Sequence, residues 1–215
     1  MNTSFTTLKQ RALDSLSGNW GPVIGTYLVY FLVMSAIQWT YVGQFIIGGS
    51  LSLGLAIYNL SISRGQDFRL NQIFDGFKNF VNSMVTYLLS LIYIILWTLC
   101  FIIPGIIAAF SYSMIFFILA DEPELTPSET LKKSKEMMDG YKMDFFLLNL
   151  SFIGWAILCI FTLGIGFLWL FPYMQITYAK FYEEVRRAYY GESEYSALEE
   201  IGKPEDLSNE QFSNY

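Results

Sequence analysis

The side chains that most often carry out chemistry in proteins are scarce in this chain. Its 215 residues include only two cysteines and no histidine, the commonest metal ligand and general base. Cys100 and Cys159 both lie in apolar stretches, where a cysteine usually acts as a small buried apolar residue. We therefore predict no metal site, no cofactor and no haem bound through histidine.

The carboxylates lie outside the long apolar stretches. Two close groups, Asp121-Glu122-Pro123-Glu124 and Glu183-Glu184, offer several oxygens for a divalent ion. Because further oxygen ligands at a coordinating spacing are missing, solvated acidic loops are the favoured interpretation. Intramembrane proteases, proton-coupled carriers and charge-relay pumps usually need a carboxylate at membrane depth. The sequence places none there, so we predict that the protein is not an enzyme.

Uncharged amide side chains do occur within the apolar stretches. Such groups are costly in hydrocarbon unless they form hydrogen bonds, so they should face neighbouring helices or a wet cavity. Hydrogen bonding between helices is the favoured interpretation, and a pathway for a solute is the alternative. Asn149, Gln175 and Asn82 are the candidate binding residues, the first two because they lie at similar depth in one predicted hairpin. The amide residues that we assign to the spans are Gln38, Gln44, Asn59, Asn82, Asn149 and Gln175.

The elements that must position these side chains are predicted to be membrane-spanning helices. The composition is 53% hydrophobic, 18% aromatic and only 15% charged, and no charge falls in residues 15–63, 79–120 or 145–179. One crossing of a hydrocarbon core of ~30 Å needs roughly 20 helical residues, so each stretch fits two crossings. The predicted fold is all-α: a polytopic helical membrane protein with about six transmembrane helices in three hairpins, joined by interfacial amphipathic helices.

Glycine and proline mark the predicted turns of the hairpins, at Gly43 with Gly48 and Gly49, at Pro104-Gly105 and at Gly164-Ile165-Gly166. The spans are predicted near 21–41, 45–62, 81–102, 105–120, 145–162 and 165–180. Together they form one membrane domain over residues 1–190. Residues 191–215 are polar and acidic, which predicts a flexible cytoplasmic tail.

Two further patterns bear on how the spans pack. Pro172 predicts a break in the sixth span, of the kind that lines transporter sites. Gly48, Ser52 and Ala56, spaced by four, favour a close-packing face rather than a channel. The third stretch is the shortest, so its hairpin is expected either to cross fully or to be tilted or re-entrant.

The charged segments between hairpins carry amphipathic patterns. Apolar residues at helical spacing predict interfacial helices with one apolar face each. Thr126 and Glu129 form a predicted capping box, with Pro127 at the first helical position. The predicted faces are Phe5, Leu8, Ala12 and Leu16; Leu70, Ile73, Phe74 and Phe77; and Leu131, Ser134, Met138 and Tyr141.

The positive charges predict the orientation. All 13 lysine and arginine residues lie on one side of the predicted hairpins, and none lies in a hairpin turn. The positive-inside bias therefore predicts a plasma-membrane protein with both termini in the cytoplasm. The expected partner is the lipid bilayer, with anionic lipid near Lys132, Lys133 and Lys135, and a protein partner or self-association is possible. The sequence has no basic stripe, so a nucleic-acid partner is not expected.

Seven short stretches follow one another in order between residues 8 and 190. Together they resemble a family of bacterial integral membrane proteins catalogued as domain of unknown function 975. The resemblance implies a multi-pass bacterial membrane protein and no established activity, so no catalytic or binding residue follows from it. The stretches are Gly18-Asn19-Trp20-Gly21, Ser50-Leu51-Ser52-Leu53-Gly54-Leu55-Ala56, Phe74-Asp75-Gly76-Phe77-Lys78-Asn79-Phe80, Ile102-Ile103-Pro104-Gly105-Ile106-Ile107-Ala108, Ala120-Asp121-Glu122-Pro123, Thr162-Leu163-Gly164-Ile165-Gly166 and Pro172-Tyr173-Met174.

Two functions remain as hypotheses from the sequence. The first is a non-enzymatic membrane protein of the cell envelope that acts through helix packing or through a protein or lipid partner. The second is a small transporter or pore for an uncharged or lipidic solute. A dry, densely packed interior favours the first hypothesis, and a cavity lined by polar groups favours the second.

Overall fold

A computed structural model describes residues 4–38 and 41–191. Within these residues the chain forms ten α-helices and one 3₁₀ helix, with no strand. Residues 192–215, which hold nearly all of the predicted tail, lie outside the described ranges. The α-helices are α1 Phe5–Leu16, α2 Trp20–Gln38, α3 Tyr41–Ser63, α4 Phe80–Cys100, α5 Ile102–Ser111, α6 Ile115–Asp121, α7 Pro127–Met137, α8 Lys142–Leu150, α9 Ile153–Phe161 and α10 Phe167–Tyr190, and the 3₁₀ helix is Leu70–Asn79.

The helical polytopic membrane fold predicted from the apolar stretches is confirmed. Five helical stretches are long and apolar enough to cross a membrane: Trp20–Ile37, Gly43–Ser63, Leu70–Cys100, Ile102–Asp121 and Lys142–Phe161. The sixth predicted span, 165–180, coincides with the first part of α10. The second part of α10 carries charged residues from Lys180 onward, so α10 as a whole is less apolar than the other five.

Helix α3 is the central element of the bundle, and small residues bring two neighbours against its backbone. A Cβ atom on Gly54 would lie 1.9 Å from the carbonyl oxygen of Ile73 in the 3₁₀ helix. A Cβ atom on Gly49 would lie 2.5 Å from the carbonyl oxygen of Ser83 in α4. Ser50 and Ser83 share a hydrogen bond of 2.9 Å at the same contact. Backbone approaches this close leave no room for a side chain.

The close-packing face predicted on α3 is therefore wrong in its position. Gly49, Ser50 and Gly54 make the tight contacts, whereas Ser52 and Ala56 line a cavity. The predicted turn at Gly43, Gly48 and Gly49 is also wrong, because α3 begins at Tyr41 and contains all three glycines. The close packing of α4 and of the 3₁₀ helix against α3 requires glycine at positions 49 and 54. The local sequence cannot predict this requirement, because the contacting residues are distant along the chain.

The helix breaks occur in spans other than the predicted one. Pro172 lies buried inside a continuous α10, because a proline in the second turn removes a single backbone hydrogen bond. The fourth span instead breaks at 112–114 and the fifth at 151–152. Contacts from other helices satisfy carbonyls near these breaks. Ser134 donates to the Ser111 carbonyl at 2.8 Å, and Lys9 donates to the Ser151 carbonyl at 3.1 Å.

The interfacial segments follow their predicted patterns to different degrees. In α1, Leu8, Ala12 and Leu16 share one face as predicted, and this face is fully buried within the protein. The capping box of α7 is confirmed, since Thr126 and Glu129 bond each other's backbone N–H groups. The second segment is a 3₁₀ helix that buries only Ile73 and Gly76. A 3₁₀ repeat of three residues puts Phe74 and Phe77 on a different face from Ile73 and Gly76, and both phenylalanines are exposed. Leu70, at the first position of the helix, is exposed as well.

Candidate functional site

A cavity of about 330 Å³ lies among the helices of the bundle, and we call it the polar cavity. Its walls come from α2, α3, α6, α8 and α10 and from the break between α5 and α6. None of its lining residues is charged, whereas seven carry a hydroxyl or amide group. The lining residues are Tyr30, Ser52, Leu55, Ala56, Asn59, Ser113, Phe116, Phe117, Phe145, Asn149, Gln175 and Tyr178.

Two of the three candidate binding residues, Asn149 and Gln175, line the polar cavity together. The amide of Asn149 is already paired on both sides. Its Nδ2 donates to the Phe145 carbonyl at 2.7 Å, and its Oδ1 accepts from the Tyr178 hydroxyl at 2.6 Å. Gln175 makes no side-chain hydrogen bond to any residue in the described ranges, so its amide is available to a bound molecule.

Asn82, the third candidate, lies outside the polar cavity. Its Nδ2 donates to the carbonyls of Leu125 at 2.7 Å and of Pro123 at 3.3 Å. Asn79 donates to the same Pro123 carbonyl at 2.9 Å. The two asparagines hold the start of α4 against the loop between α6 and α7. The structure therefore places Asn82 in contacts between α4 and this loop, away from the polar cavity.

Asn59 lies in the wall of the polar cavity and was not among the three candidates. The residue is 1% exposed, and its Oδ1 accepts a hydrogen bond of 2.8 Å from the hydroxyl of Tyr27. Its Nδ2 has no hydrogen-bond partner within the part of the chain that the structure describes. The helical spacing of Asn59 from Ser52 and Ala56 was the available signal, since positions three and seven apart share one face.

Aromatic rings separate the polar cavity from the charged residues beyond it. Phe117 in the cavity wall stacks on Tyr182, with ring centroids 5.4 Å apart and an interplanar angle of 21°. Phe145, also in the wall, packs against Phe181 with centroids 5.1 Å apart. We call these four residues the aromatic layer. Phe181 and Tyr182 are at most 1% exposed, so the layer is tightly packed.

Ion pairs cover the outer side of the aromatic layer, at what we call the charged end of the bundle. Asp121 accepts two hydrogen bonds of 2.7 Å from Arg64 and one of 2.9 Å from the hydroxyl of Tyr182. Arg186 pairs with the same carboxylate at 3.2 Å, and Arg64 also pairs with Glu183 at 2.7 Å. The pairs link the ends of α3 and α6 to the second part of α10.

The interpretation of the two acidic groups as solvated loops is wrong for most of their carboxylates. The side chain of Asp121 is only 6% exposed, and its partners come from α10 and the end of α3. Glu122 pairs with Lys133 at 2.6 Å, and Glu184 pairs with Arg11 at 2.6 Å. Cations from distant parts of the chain converge on these carboxylates, and spacing along the sequence does not reveal such contacts.

The charged end shifts the pKa values of its members in the directions that pairing requires. Burial by itself would lower the pKa of Arg64, but the hydrogen bonds and charges of Asp121 and Glu183 outweigh burial and raise it. The pKa of Lys133 is raised for the same reason by Glu122 and the Tyr190 hydroxyl, again against burial. Burial, followed by the charge of Asp121, raises the pKa of Tyr182 well above its ordinary value.

Two other possible sites offer less chemistry. A groove of about 400 Å³ between α1, α9 and α10 is mainly apolar and includes Trp20, Trp155 and Trp169 in its lining. Within the described residues, no group of three or more cysteine, aspartate or glutamate side chains is arranged to hold a metal ion. The absence of a metal site or cofactor therefore stays a prediction.

A family model covers nearly all of the chain. The model, described as "Protein of unknown function (DUF975)", matches residues 1–111 and 98–189. The two matches overlap and include all seven stretches that carry the resemblance noted in the sequence. Neither a curated protein nor a solved structure matches the chain.

Proposed function

The chain belongs to the DUF975 family of proteins of unknown function, and from this premise we propose that it is a non-enzymatic carrier for a small uncharged or lipid-like molecule. The observation that carries the proposal is the polar cavity, which combines uncharged hydrogen-bonding groups with aromatic walls at membrane depth. Binding sites for small molecules typically combine apolar and aromatic walls with a small number of polar groups that orient the ligand.

The lining of the polar cavity favours an uncharged ligand. An ion that enters a site at membrane depth loses its hydration, and that loss is offset only by a counter-charge or several aligned dipoles. The twelve lining residues include no acidic or basic side chain. An uncharged molecule with polar and apolar parts can instead use the hydroxyl and amide groups and the rings of Phe116 and Phe145.

Two features favour a carrier over an open pore. The aromatic layer blocks a continuous path from the polar cavity to the charged end. Ser113 lies within the break of the fourth span, and Asn149 lies just before the break of the fifth. Interrupted helices around a midplane site are common in transporters, because the interruption lets the two halves of a span move separately.

A role limited to helix packing or to a protein partner is the weaker proposal. It requires no cavity, whereas the polar cavity leaves the amide of Gln175 and the Nδ2 of Asn59 without a hydrogen bond to a described residue. The bilayer remains the expected partner for the outer surface of the hairpins, where Leu99, Phe161 and Leu163 are more than 80% exposed. Self-association would use the same surface.

We further propose that the protein resides in the plasma membrane of a bacterium, with its charged end in the cytoplasm. The positive-inside bias supports this orientation, because all 13 lysine and arginine residues lie on one side of the predicted hairpins. The polar cavity would then be shielded from the cytoplasm by the aromatic layer and by the ion pairs around Asp121.

Uptake into proteoliposomes tests the carrier proposal. The solutes are a panel of neutral polyols, amides, alcohols and short-chain glycerides, with potassium and chloride as charged comparisons. We expect saturable uptake of at least one neutral solute and none of the ions.

Ser52→Phe, which fills the polar cavity, should reduce that uptake to the level of empty liposomes. Val81→Phe adds a ring at a position that is 67% exposed on α4 and should leave uptake unchanged. Wild-type uptake equal to that of empty liposomes for the whole panel would refute the proposal.

A further inference from the structure

Two amide side chains of the polar cavity have hydrogen-bonding atoms that the protein does not use. Asn59 is 1% exposed, and its Nδ2 lacks a partner throughout the described ranges. Gln175 faces the same cavity from α10 and likewise forms no side-chain hydrogen bond with a described residue. Leaving a buried N–H group unpaired destabilises a fold, so such a group suggests a function outside packing.

The neighbouring amide in the polar cavity behaves differently. Asn149 uses its donor on the Phe145 carbonyl and its acceptor on the Tyr178 hydroxyl. The bond to Tyr178 joins α8 to α10, and the bond to Phe145 lies within α8. Together they leave the amide little capacity for a ligand. Asn149 therefore fits the predicted role of hydrogen bonding between helices, whereas Asn59 and Gln175 do not.

Tyr27 fixes the direction in which the Asn59 amide points. Its hydroxyl donates to Oδ1 of Asn59 at 2.8 Å, and both residues are at most 1% exposed. A hydroxyl that donates to the oxygen side of the amide leaves the nitrogen side as the free end. The free end is thus a donor, held in place before any ligand arrives, and such preorganisation lowers the cost of binding.

We infer that Asn59 recognises a hydrogen-bond acceptor on the transported molecule and is the main determinant of which molecules the polar cavity accepts. The inference rests on the proposed carrier function and narrows its ligand class. The ligand is an uncharged amphipathic molecule that carries a carbonyl, ether or hydroxyl oxygen on an apolar body. Its oxygen accepts from Nδ2 of Asn59, its apolar part packs on Phe116 and Phe145, and Gln175 provides a second polar contact.

The requirement for an uncharged hydrogen-bond acceptor distinguishes this ligand class from hydrocarbons and from carboxylates of similar shape. A hydrocarbon of the same shape would leave Nδ2 of Asn59 unpaired and bind more weakly, because a site built for a hydrogen bond discriminates against a molecule that lacks it. A carboxylate has acceptors, but it would enter a cavity with no basic residue in its wall. Neutral oxygen-bearing molecules avoid both costs.

Photolabelling with benzophenone tests the inference. Benzophenone is a neutral aryl ketone that reacts with nearby C–H bonds under near-ultraviolet light, and its carbonyl is an acceptor. The protein is reconstituted in nanodiscs, and labelled residues are assigned by tandem mass spectrometry. The measured quantity is the ratio of labelling at Phe116, Phe145 and Tyr178 to labelling at the outer positions Leu99 and Phe161, which corrects for benzophenone dissolved in lipid.

We expect Asn59→Leu to lower this ratio about fivefold, as the loss of one neutral hydrogen bond implies. Asn59→Ala should act in the same direction if the leucine variant does not fold. Asn82→Leu is the matched control, since it removes an amide outside the polar cavity, and it should leave the ratio unchanged. In the wild type, acetophenone should compete with cavity labelling, whereas ethylbenzene, which has a similar shape and no oxygen, should not.

The outcomes separate the inference from the proposed function. Cavity labelling that is equal in the wild type and in both Asn59 variants would overturn the role of Asn59 and leave the carrier proposal standing. Equal competition by ethylbenzene and acetophenone would overturn the requirement for an acceptor. Absence of cavity labelling in the wild type would overturn both the inference and the proposed binding of uncharged molecules.

Discussion

Arg64 and Asp121 form a bidentate ion pair that joins the end of α3 to the end of α6. The Nη1 and Nη2 atoms of Arg64 each lie 2.7 Å from one carboxylate oxygen of Asp121. The parallel geometry matches the guanidinium fork to the carboxylate and makes the pair stronger than a single contact. Because α3 is the central helix, this pair ties the charged end to the core of the membrane domain.

Asp121→Asn should destabilise the folded protein by about 2–4 kcal/mol, since it leaves Arg64 and Arg186 without their shared anion in a mostly buried place. The apparent melting temperature in detergent measures this effect. Asp139→Asn is the matched control, because the side chain of Asp139 is 84% exposed and, among the residues that the structure describes, pairs only with nearby Lys142. Equal melting temperatures for the wild type and Asp121→Asn would show that the pair does not hold the charged end together.

Gly54→Ala should prevent the 3₁₀ helix from docking on α3. The added Cβ atom would lie 1.9 Å from the Ile73 carbonyl oxygen, and relieving that overlap requires movement of the backbone. We expect the free energy of unfolding to fall by about 3 kcal/mol or more. Size-exclusion chromatography with fluorescence detection would show this as aggregation or as a lower melting temperature. In Gly25→Ala the added Cβ atom has no neighbour within 4 Å, so the free energy of unfolding should rise by up to about 1 kcal/mol. A Gly54→Ala protein as stable as Gly25→Ala would contradict the close contact.

Two cavity amides should respond differently to the same truncation. Asn149→Ala breaks bonds to Tyr178 and to the Phe145 carbonyl, so it should cost about 1–3 kcal/mol. Gln175→Ala removes an amide with no bond to a described residue, so thermal stability should change little. Melting temperatures of the two variants in the same detergent test the difference. A larger loss for Gln175→Ala would show that Gln175, and not Asn149, holds the helices together.

The two amides also show how far the sequence could predict the site. The depth of Asn149 and Gln175 follows from their positions in the apolar stretches, so their shared cavity was predictable. Which of them is already paired depends on Tyr178 and on the crossing of α8 with α10, and Asn59 enters through a different helix. The capping box at Thr126 was readable because its two partners are three residues apart.

The helix breaks were not predictable for a similar reason. The break at 112–114 contains no glycine or proline, and the Ser111 carbonyl beside it is satisfied by Ser134, 23 residues further along the chain. Pro172, the strongest local signal for a break, is accommodated in a continuous helix by buried packing. Tertiary contacts therefore decide where the spans are interrupted.

High pH should weaken the charged end through Tyr182. Its pKa is raised well above the ordinary value, mainly by burial, so the folded protein keeps a proton that the unfolded chain loses near pH 10. The stabilisation is complete below that pH and falls by up to about 1.4 kcal/mol per pH unit above it. Melting temperatures between pH 8 and 11 should decline more steeply for the wild type than for Tyr182→Phe. Identical slopes would exclude Tyr182 as the titrating group.

The polar cavity lies at membrane depth only if the charged end and the hairpin tips are on opposite sides of the membrane. The proposed orientation puts the charged end on the cytoplasmic side. Cysteine labelling in intact cells measures it directly, in a background that carries Cys100→Ser and Cys159→Ser. Single cysteines are placed at Ile103 and Leu163, which are 72% and 94% exposed at the tips of two hairpins, and at Ser128 in α7. A membrane-impermeant maleimide should label the two tip positions in intact cells and Ser128 only after the cells are permeabilised. Labelling of Ser128 in intact cells, with the two tips reacting only after permeabilisation, would contradict this topology.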